Sequence, residues 1–444
     1  MGVVVDRIAT DEKLPARASV VIIGGGVIGV STALWLAQKG VDVALCEKGW
    51  IAHEQSSRNW GWVRVMGRDP KEIPLGVESL RMWRDMDRLV EGDTGFKQAG
   101  IVYAVDTEKE VEAYEEWLEH ARPFQLDSRL LKPSEIADVL PGVARKFAGA
   151  IYTPSDARAE PQKAVPAMAA KARKLGATIV EQCAVRGVET KAGRVSGVVT
   201  EKGVIACDSV VLAGGAWSRL FCGNFGVDLP QLKVLGSVMR TEPLEGPPTT
   251  ACGGSDFAFR KRFDGGYNIA QRSASAAEIT PDSFRLFTDF FPSLLKHSKE
   301  LRIRAGARFV EEWKTPRRWK LDEVTPFEKT RVLDPKPAQN VLDEAKRNLI
   351  AAFPAFKDMK IADSWGGYVD ATPDAVPVIG ELETLPGFFF ATGFSGHGFG
   401  IGPGAGRLVA DLVTGDPTIV DAAPYSYKRF ARMAKSKPDF TARA

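Results

Sequence analysis

The sequence predicts an α/β fold in two interleaved parts: a mainly parallel sheet flanked by helices, and an α+β part built on a mainly antiparallel sheet. Three observations carry this expectation. Residues 18–47 read as strand, glycine turn, helix and strand. Two more strand-to-glycine turns, at 208–217 and 388–406, bring the same texture back in the middle and at the end of the chain. Between them, most clearly over 234–271, short runs joined by tight turns read as antiparallel strands. The parallel part is therefore expected to use 18–84, 149–229 and 365–415, and the other part 85–148 and 230–364, with 416–444 as a C-terminal extension.

The first stretch is the most informative. Val20–Ile23 is an apolar strand that breaks into Gly24-Gly25-Gly26. A helix-period run follows (Ile28, Ala33, Leu34, Leu36, Ala37), stops at Gly40, and gives way to a second apolar run closing on Glu47. Gly24, Gly26 and Gly29 stand in G-x-G-x-x-G spacing. The first permits a tight turn, the second lets backbone approach a pyrophosphate at the helix N-terminus, and the third allows close helix–strand contact. Glu47, roughly 18 residues past the last glycine, is placed to accept ribose hydroxyls. Its charge would repel a 2′-phosphate, which disfavours NADP. A Rossmann-like dinucleotide site is expected here.

Composition narrows the rest. With 444 residues, 44% of them hydrophobic and 26% charged, the chain reads as an ordinary globular protein of two or three domains. A net charge of +3 is close to balance, so nothing global points to nucleic acid or an anionic membrane as a partner. Five scattered cysteines without C-x-x-C suggest reduced thiols and a cytoplasmic protein. Four histidines without paired spacing make a metal site unexpected. The first residues lack a signal-peptide core, and no run approaches the ~20 apolar residues of a membrane span.

The loop after Glu47 is too long for an idle turn. Ser56, Ser57 and Asn59 can hydrogen-bond a pyrophosphate, and Gly61 between Trp60 and Trp62 would let backbone lie against a flat ring. A helix is expected over 75–90, with Leu75, Ser79, Met82, Met86 and Leu89 on one face. A strand at 100–105, a charged helix at 108–121 and a helix at 132–140 follow. Then come a strand at 148–153, a helix at 161–175 and a strand at 177–180. Strands 185–191 and 195–200 form a hairpin turned at Ala192-Gly193. The strand 208–213 delivers Gly214-Gly215-Ala216-Trp217, a second backbone platform for a nucleotide. Strands fill 234–271, an aromatic helix is expected over 284–301, and 302–320 is basic. A Pro-rich linker at 325–337 and a helix at 338–353 precede the last glycine loop, 393–406, and an apolar helix at 407–413.

That final loop can stabilise negative charge at a helix N-terminus, as the N1–C2=O edge of a reduced flavin requires. GGGVIGVSTALWLAQKGVDVALCEKG, VVLAGGAWS and TPDAVPVIG…GFFFATGFSGHGFGIGPGAGRLVADLVTG, in this order, resemble the glycine/D-amino-acid oxidase superfamily of FAD-dependent oxidoreductases over about 18–415. The loop SSRNWGWVR is most similar to the branch of D-hydroxyproline and related D-amino-acid dehydrogenases. The resemblance implies a Rossmann-like FAD-binding domain with FAD contacts at Gly24, Gly26, Val27, Ile28, Gly29, Glu47, Lys48, Ser56, Ser57, Arg58 and Asn59. It extends them to Val185, Gly214, Gly215 and Trp217, and to Gly396, His397, Gly398, Phe399 and Gly400. Monomeric sarcosine oxidases bond FAD through a cysteine before the T-x-D segment. Residues 365–373 hold none, so noncovalent FAD is expected. Those enzymes also carry a lysine where this chain has Gly400, which counts against sarcosine. His53 is read as a loop residue rather than a flavin link.

The implied activity is oxidation of the C–N bond of an amino acid or N-substituted amino acid, of D-amino-acid or cyclic or secondary amine type. Hydride passes to flavin N5, and the imine product hydrolyses. The amine must be neutral to release hydride, and a dry aromatic pocket favours that form. No side-chain base is required. A substrate carboxylate wants an arginine fork, with Arg64 the first candidate and Arg260 the second. Trp60, Trp62, Trp365 and Tyr368 are candidate walls. Dioxygen or a quinone-type carrier would reoxidise the flavin, and the aromatic and basic segment 284–320 suits peripheral membrane contact. Oxidation of a non-amino-acid amine, or a flavoprotein that assembles other proteins without turnover, fits the same motifs.

Overall fold

The computed structural model describes residues 3–273, 275–296 and 301–430. Its organising sheet has six strands, in the order Val378–Glu381, Phe388–Thr392, Ser209–Leu212, Val20–Ile23, Val43–Cys46, Thr178–Val180. All pair in parallel except the first, which runs antiparallel to Phe388–Thr392. Strands from the start, middle and end of the chain thus lie side by side. The ends of Val20–Ile23 and Ser209–Leu212 meet in register, Ile23 opposite Leu212, so both glycine turns leave the same edge.

The helix Val27–Gln38 is buried on nearly every side, from Val27 and Ile28 through Leu34, Leu36 and Ala37. A helix apolar all round belongs in a core, not on a surface. Each fully buried aliphatic side chain here contributes about 1.5–3 kcal/mol. Gly29 is what lets the helix sit down on its strand: a Cβ there would stand 2.0 Å from the Gly24 carbonyl oxygen.

Among the described residues, a ten-stranded sheet forms the second layer. Its backbone is the long antiparallel pair Leu232–Thr241 and Ile361–Ala371. It continues through Tyr267–Ala270, Ala258–Lys261 and Ala251–Gly253 to Ile101–Val105, Gly149–Thr153 and Arg129–Leu131. Only the pairs 251–253 with 101–105 and 275–278 with 301–304 are parallel. Gly149–Thr153 and residues 365–371 therefore pair within this sheet, although the sequence boundaries put them with the parallel layer. Strand pairing is a long-range choice that apolar texture does not reveal.

Several elements differ from expectation. The helix over 75–90 is two, Ile73–Arg84 and Met86–Val90, broken at Asp85. The aromatic helix spans Phe287–Lys296, preceded by Pro281–Arg285; Leu301 already belongs to a strand, and 297–300 lie outside the described residues. The stretch at 132–140 has only a 3-10 turn and one helical turn, Ile136–Val139. The Pro-rich 325–337 holds a short helix, Pro326–Lys329, and packs against the dinucleotide loop rather than bridging free space.

The largest difference is the last glycine loop. Its second half is helix: Gly398–Thr414 begins nine residues before the expected start. The glycines serve helix packing. A Cβ on Gly406 would lie 2.5 Å from Ser31 Cβ on the first helix, so the two helices approach backbone to backbone. Pro403 interrupts the ladder inside this helix. Ser79 Oγ and Trp83 Nε1 donate to the Gly400 carbonyl at 2.8 and 2.9 Å and splice the irregular turn.

Candidate active site

A cavity of about 940 Å³ runs along the C-terminal edge of the six-stranded sheet. Ligands of open α/β sheets bind at this edge. Gly24, Gly25, Gly26, Val27 and Ile28 line it, as do Glu47, Val185, Gly214, Gly215 and Trp217. The Glu47 carboxylate is half-buried at the strand end, taking the Gly25 amide on Oε2 at 2.6 Å and the Gly49 amide on Oε1 at 2.7 Å. Burial pushes its carboxyl up, against the pull of Lys48 and those amides. Each oxygen keeps an acceptor site for a hydroxyl. Ser56 Oγ accepts the Val27 amide at 2.8 Å, and Gly26 starts the helix without a side-chain cap.

Lys48 and Arg58 line the same end, but the protein takes up their charge. Lys48 Nζ meets Glu54 at 2.6 Å and the carbonyls of Thr330 and Arg331, both at 2.9 Å. Arg58 Nη1 meets Asp334 at 2.6 Å and the Gly366 carbonyl at 2.8 Å. Asn59 turns back on its own loop, donating to Ser56 O and accepting from the Gly61 amide.

At the other end, Gly396, His397, Gly398, Phe399 and Gly400 line the cavity. His397 Nδ1 lies 3.1 Å from Oε2 of the fully buried Glu72. Burial holds the imidazole below its ordinary range, with Arg68 adding to the shift and Glu72 opposing it. Asp370, beside this loop, accepts the Gly393 amide at 2.8 Å; burial raises its carboxyl to about 6.

Trp60 and Trp62 meet edge to face at 5.1 Å and wall the cavity together with Tyr103, Tyr114 and Tyr368. The Tyr368 hydroxyl donates to Glu278 at 2.8 Å beneath the Arg308 guanidinium. Arg64 and Arg272 stand by the Tyr103 ring, at 5.4 and 3.9 Å from its centroid. Arg68 follows on the same loop as Arg64. It is 3% exposed, and its Nη1 has no hydrogen-bond partner.

Four expectations are corrected. Arg260 does not reach the cavity: it is fully buried, both terminal nitrogens lie on Glu160, and its Nε donates to the Trp60 carbonyl. Gly61 does not line the cavity; its φ of +80° and the nearby Arg260 guanidinium account for the glycine. Ser57 is buried and bonds the Glu54 carbonyl. Trp365 lies in the core, donating to the Arg58 carbonyl at 3.0 Å. Conversely, Arg68, Arg272, Tyr103 and Tyr114 carry no motif; only the fold brings them to the cavity. Among the described residues no group of His, Cys, Asp or Glu is arranged to hold a metal ion.

The parallel sheet, the glycine edge and Glu47 at the end of the second strand define a dinucleotide-binding architecture, and its donors fit FAD. The chain belongs to the DAO family of FAD-dependent oxidoreductases, whose model matches residues 19–412. It is 26% identical to the glycine oxidase of Pseudomonas putida over 92% of this chain and 97% of that one. It is also 26% identical to the sarcosine oxidase subunit beta of an Arthrobacter species, over 93% and 90%. Among solved structures, the L-amino acid deaminase of Proteus myxofaciens superposes with a TM-score of 0.92 at 35% identity, covering 97% of this chain and 96% of that one.

Proposed function

We propose that this FAD-dependent oxidoreductase oxidises the Cα–N bond of an α-amino acid or N-alkyl amino acid, giving an imine that water hydrolyses to a 2-oxo acid and ammonia or an alkylamine. The observation that carries the reading is one cavity that joins the Gly24–Glu47 edge to Arg64, Arg68 and Arg272. FAD, when bound, supplies the acceptor for the two electrons that leave as hydride. Gly24–Ile28, Glu47, Ser56 and Gly214–Gly215 would hold it, and Gly396–Gly400 would face its negative edge. Binding is noncovalent: residues 365–373 lack cysteine, and His53 Nδ1 is 2.9 Å from the Ile51 carbonyl.

The chain's own residues bind, orient and dry the substrate. An arginine fork fixes the carboxylate and so aims the Cα–H. Trp60, Trp62 and Tyr103 exclude water, which favours the neutral amine. The likeness to glycine, sarcosine and L-amino-acid enzymes supports this substrate class. Anaerobic mixing of the purified protein with D-, L- and N-alkyl amino acids should bleach the flavin with at least one of them. Bleaching only by amines without a carboxylate would replace the reading with the non-amino-acid alternative.

The natural acceptor is proposed to be a quinone-type carrier rather than dioxygen. Phe284, Phe287 and Phe291 are 67%, 52% and 43% exposed, and all three rim the cavity mouth. Arg285, Lys296, Lys314, Arg317 and Arg318 lie close by in sequence. Exposed aromatics beside basic residues suit an anionic bilayer. No described helix is long and apolar enough to cross a membrane. Five buried free cysteines support a reducing, cytoplasmic setting.

A further inference from the structure

The arginine end of the cavity holds more positive charge than one carboxylate needs. Arg64 Nη1 donates to the Met66 carbonyl. Arg272 donates to Gly254 O at 3.2 Å and to the Tyr114 hydroxyl at 3.0 Å. Arg68 Nε reaches only the Arg64 carbonyl, at 3.4 Å. Every partner is neutral. Among the described residues, each of the other buried arginines of the chain, such as Arg219, Arg260 and Arg308, has a carboxylate within ion-pair distance. Arg58 and Arg158 follow that rule too. Arg68 does not, and neither Arg64 nor Arg272 forms such a pair.

The nearby acids do not balance them. Glu72 is fully buried, with Oε2 on His397 and Oε1 without a partner. Burial opposes its ionisation, but His397, Arg68 and Arg64 together hold its carboxyl below the ordinary value. Asp156 gives its oxygens to the Val65 and Met66 amides, and burial raises it to about 7. The remaining acids on the cavity wall are already engaged, Glu47 by the Gly25 and Gly49 amides, Glu54 by Lys48, Glu278 by Arg308, Asp370 by the Gly393 amide. Three guanidinium groups thus share the neighbourhood of two carboxyl groups, Glu72 and Asp156, and none of the three is in an ion pair with either, which leaves at least one positive charge over. Arg68 is buried with no carboxylate within ion-pair distance and with Nη1 unpartnered, a costly arrangement that an anionic ligand would relieve.

We infer that the site is built for an acidic amino acid, a dicarboxylate whose two carboxylates are shared among Arg64, Arg68 and Arg272. The inference rests on the amino-acid-oxidising reading above and narrows its substrate class. In the reactive form the amine is neutral. A monocarboxylic amino acid then brings one negative charge for three unpaired guanidinium groups, and a dicarboxylic one brings two, so that more than one of them gains a partner. Planar forks also recognise carboxylates in two-point fashion. The hydrogen bond to a charged group lost when a side-chain carboxylate becomes an amide corresponds to about 10- to 100-fold in rate or affinity.

The experiment compares isosteres. Flavin-loaded enzyme is mixed anaerobically with aspartate against asparagine and glutamate against glutamine, both enantiomers of each, and with leucine and phenylalanine. Bleaching should favour the diacid by about 10-fold or more in rate over concentration. Calorimetric titration with succinate and glutarate against butyrate gives a second readout that needs no turnover, and the dicarboxylates should bind tighter by a similar factor. Arg68→Gln should collapse both preferences, and Arg68→Lys should restore part of them. Because each preference is a ratio within one variant, a partly unfolded preparation does not mimic the effect. Amide or apolar amino acids bleaching as fast as the diacids would overturn the inference while leaving amino-acid oxidation standing. Bleaching by no amino acid at all would overturn both.

Discussion

Arg260 and Glu160 form a buried two-pronged ion pair, Nη1 to Oε1 at 2.6 Å and Nη2 to Oε2 at 2.9 Å. The pair ties the strand Ala258–Lys261 to the start of the helix Pro161–Lys174, and so joins the two layers. Glu160 also accepts the Phe263 amide at 2.8 Å. Arg260→Met should lower the unfolding free energy by about 3–5 kcal/mol, because it strands the Glu160 carboxylate in the core. Adding Glu160→Leu should recover much of that loss. Denaturant unfolding of the flavin-loaded variants reads both. A large rise in KM with little loss of stability would return Arg260 to the substrate.

Glu47→Ala should weaken FAD binding by about 1–3 kcal/mol, the scale of hydrogen bonds to a charged group. Flavin fluorescence on titrating apoprotein measures this. Acid precipitation should release all the flavin; colour kept on the pellet would mean a covalent link.

Asp156 gives the protein a pH-dependent term. Its ordinary carboxyl value is 3.8 and burial raises it to about 7 in the folded chain. Between those values the folded state holds the proton more tightly than the unfolded one. Its stabilising contribution is therefore full below about pH 4 and declines towards pH 7, by up to about 1.4 kcal/mol per pH unit. Above pH 7 it is flat. Asp156→Asn should remove that slope, so the difference in stability between variant and parent should vary with pH across this window. A constant difference would show that Asp156 titrates normally.

The exposed aromatic helix makes the acceptor testable. Sedimentation with phosphatidylglycerol vesicles should bring the enzyme down, and Phe287→Ser with Phe291→Ser should leave most of it in the supernatant while dye-linked turnover in solution persists. Substrate-reduced enzyme should reoxidise slowly in air and quickly with a soluble quinone. Hydrogen peroxide at a matching rate would make it an oxidase.

By itself the sequence determined the dinucleotide edge. Gly24, Gly26, Gly29 and Glu47 are near neighbours in the chain, and strand, turn and helix are local choices that spacing records. The hairpin at Ala192-Gly193 was legible for the same reason: both residues take positive φ, as a two-residue turn requires. The last glycine stretch misled because the same residue type marks both a loop and a close helix crossing, and only the neighbouring Ser31 and Val27 distinguish them. Tertiary structure alone decided the substrate end. Arg64 and Arg260 look alike in the sequence, each following an apolar or aromatic run. Glu160, 100 residues away, claims one and leaves the other facing the cavity. Whether a charge is free is set by its counter-charge, and counter-charges are brought together by folding, not by spacing.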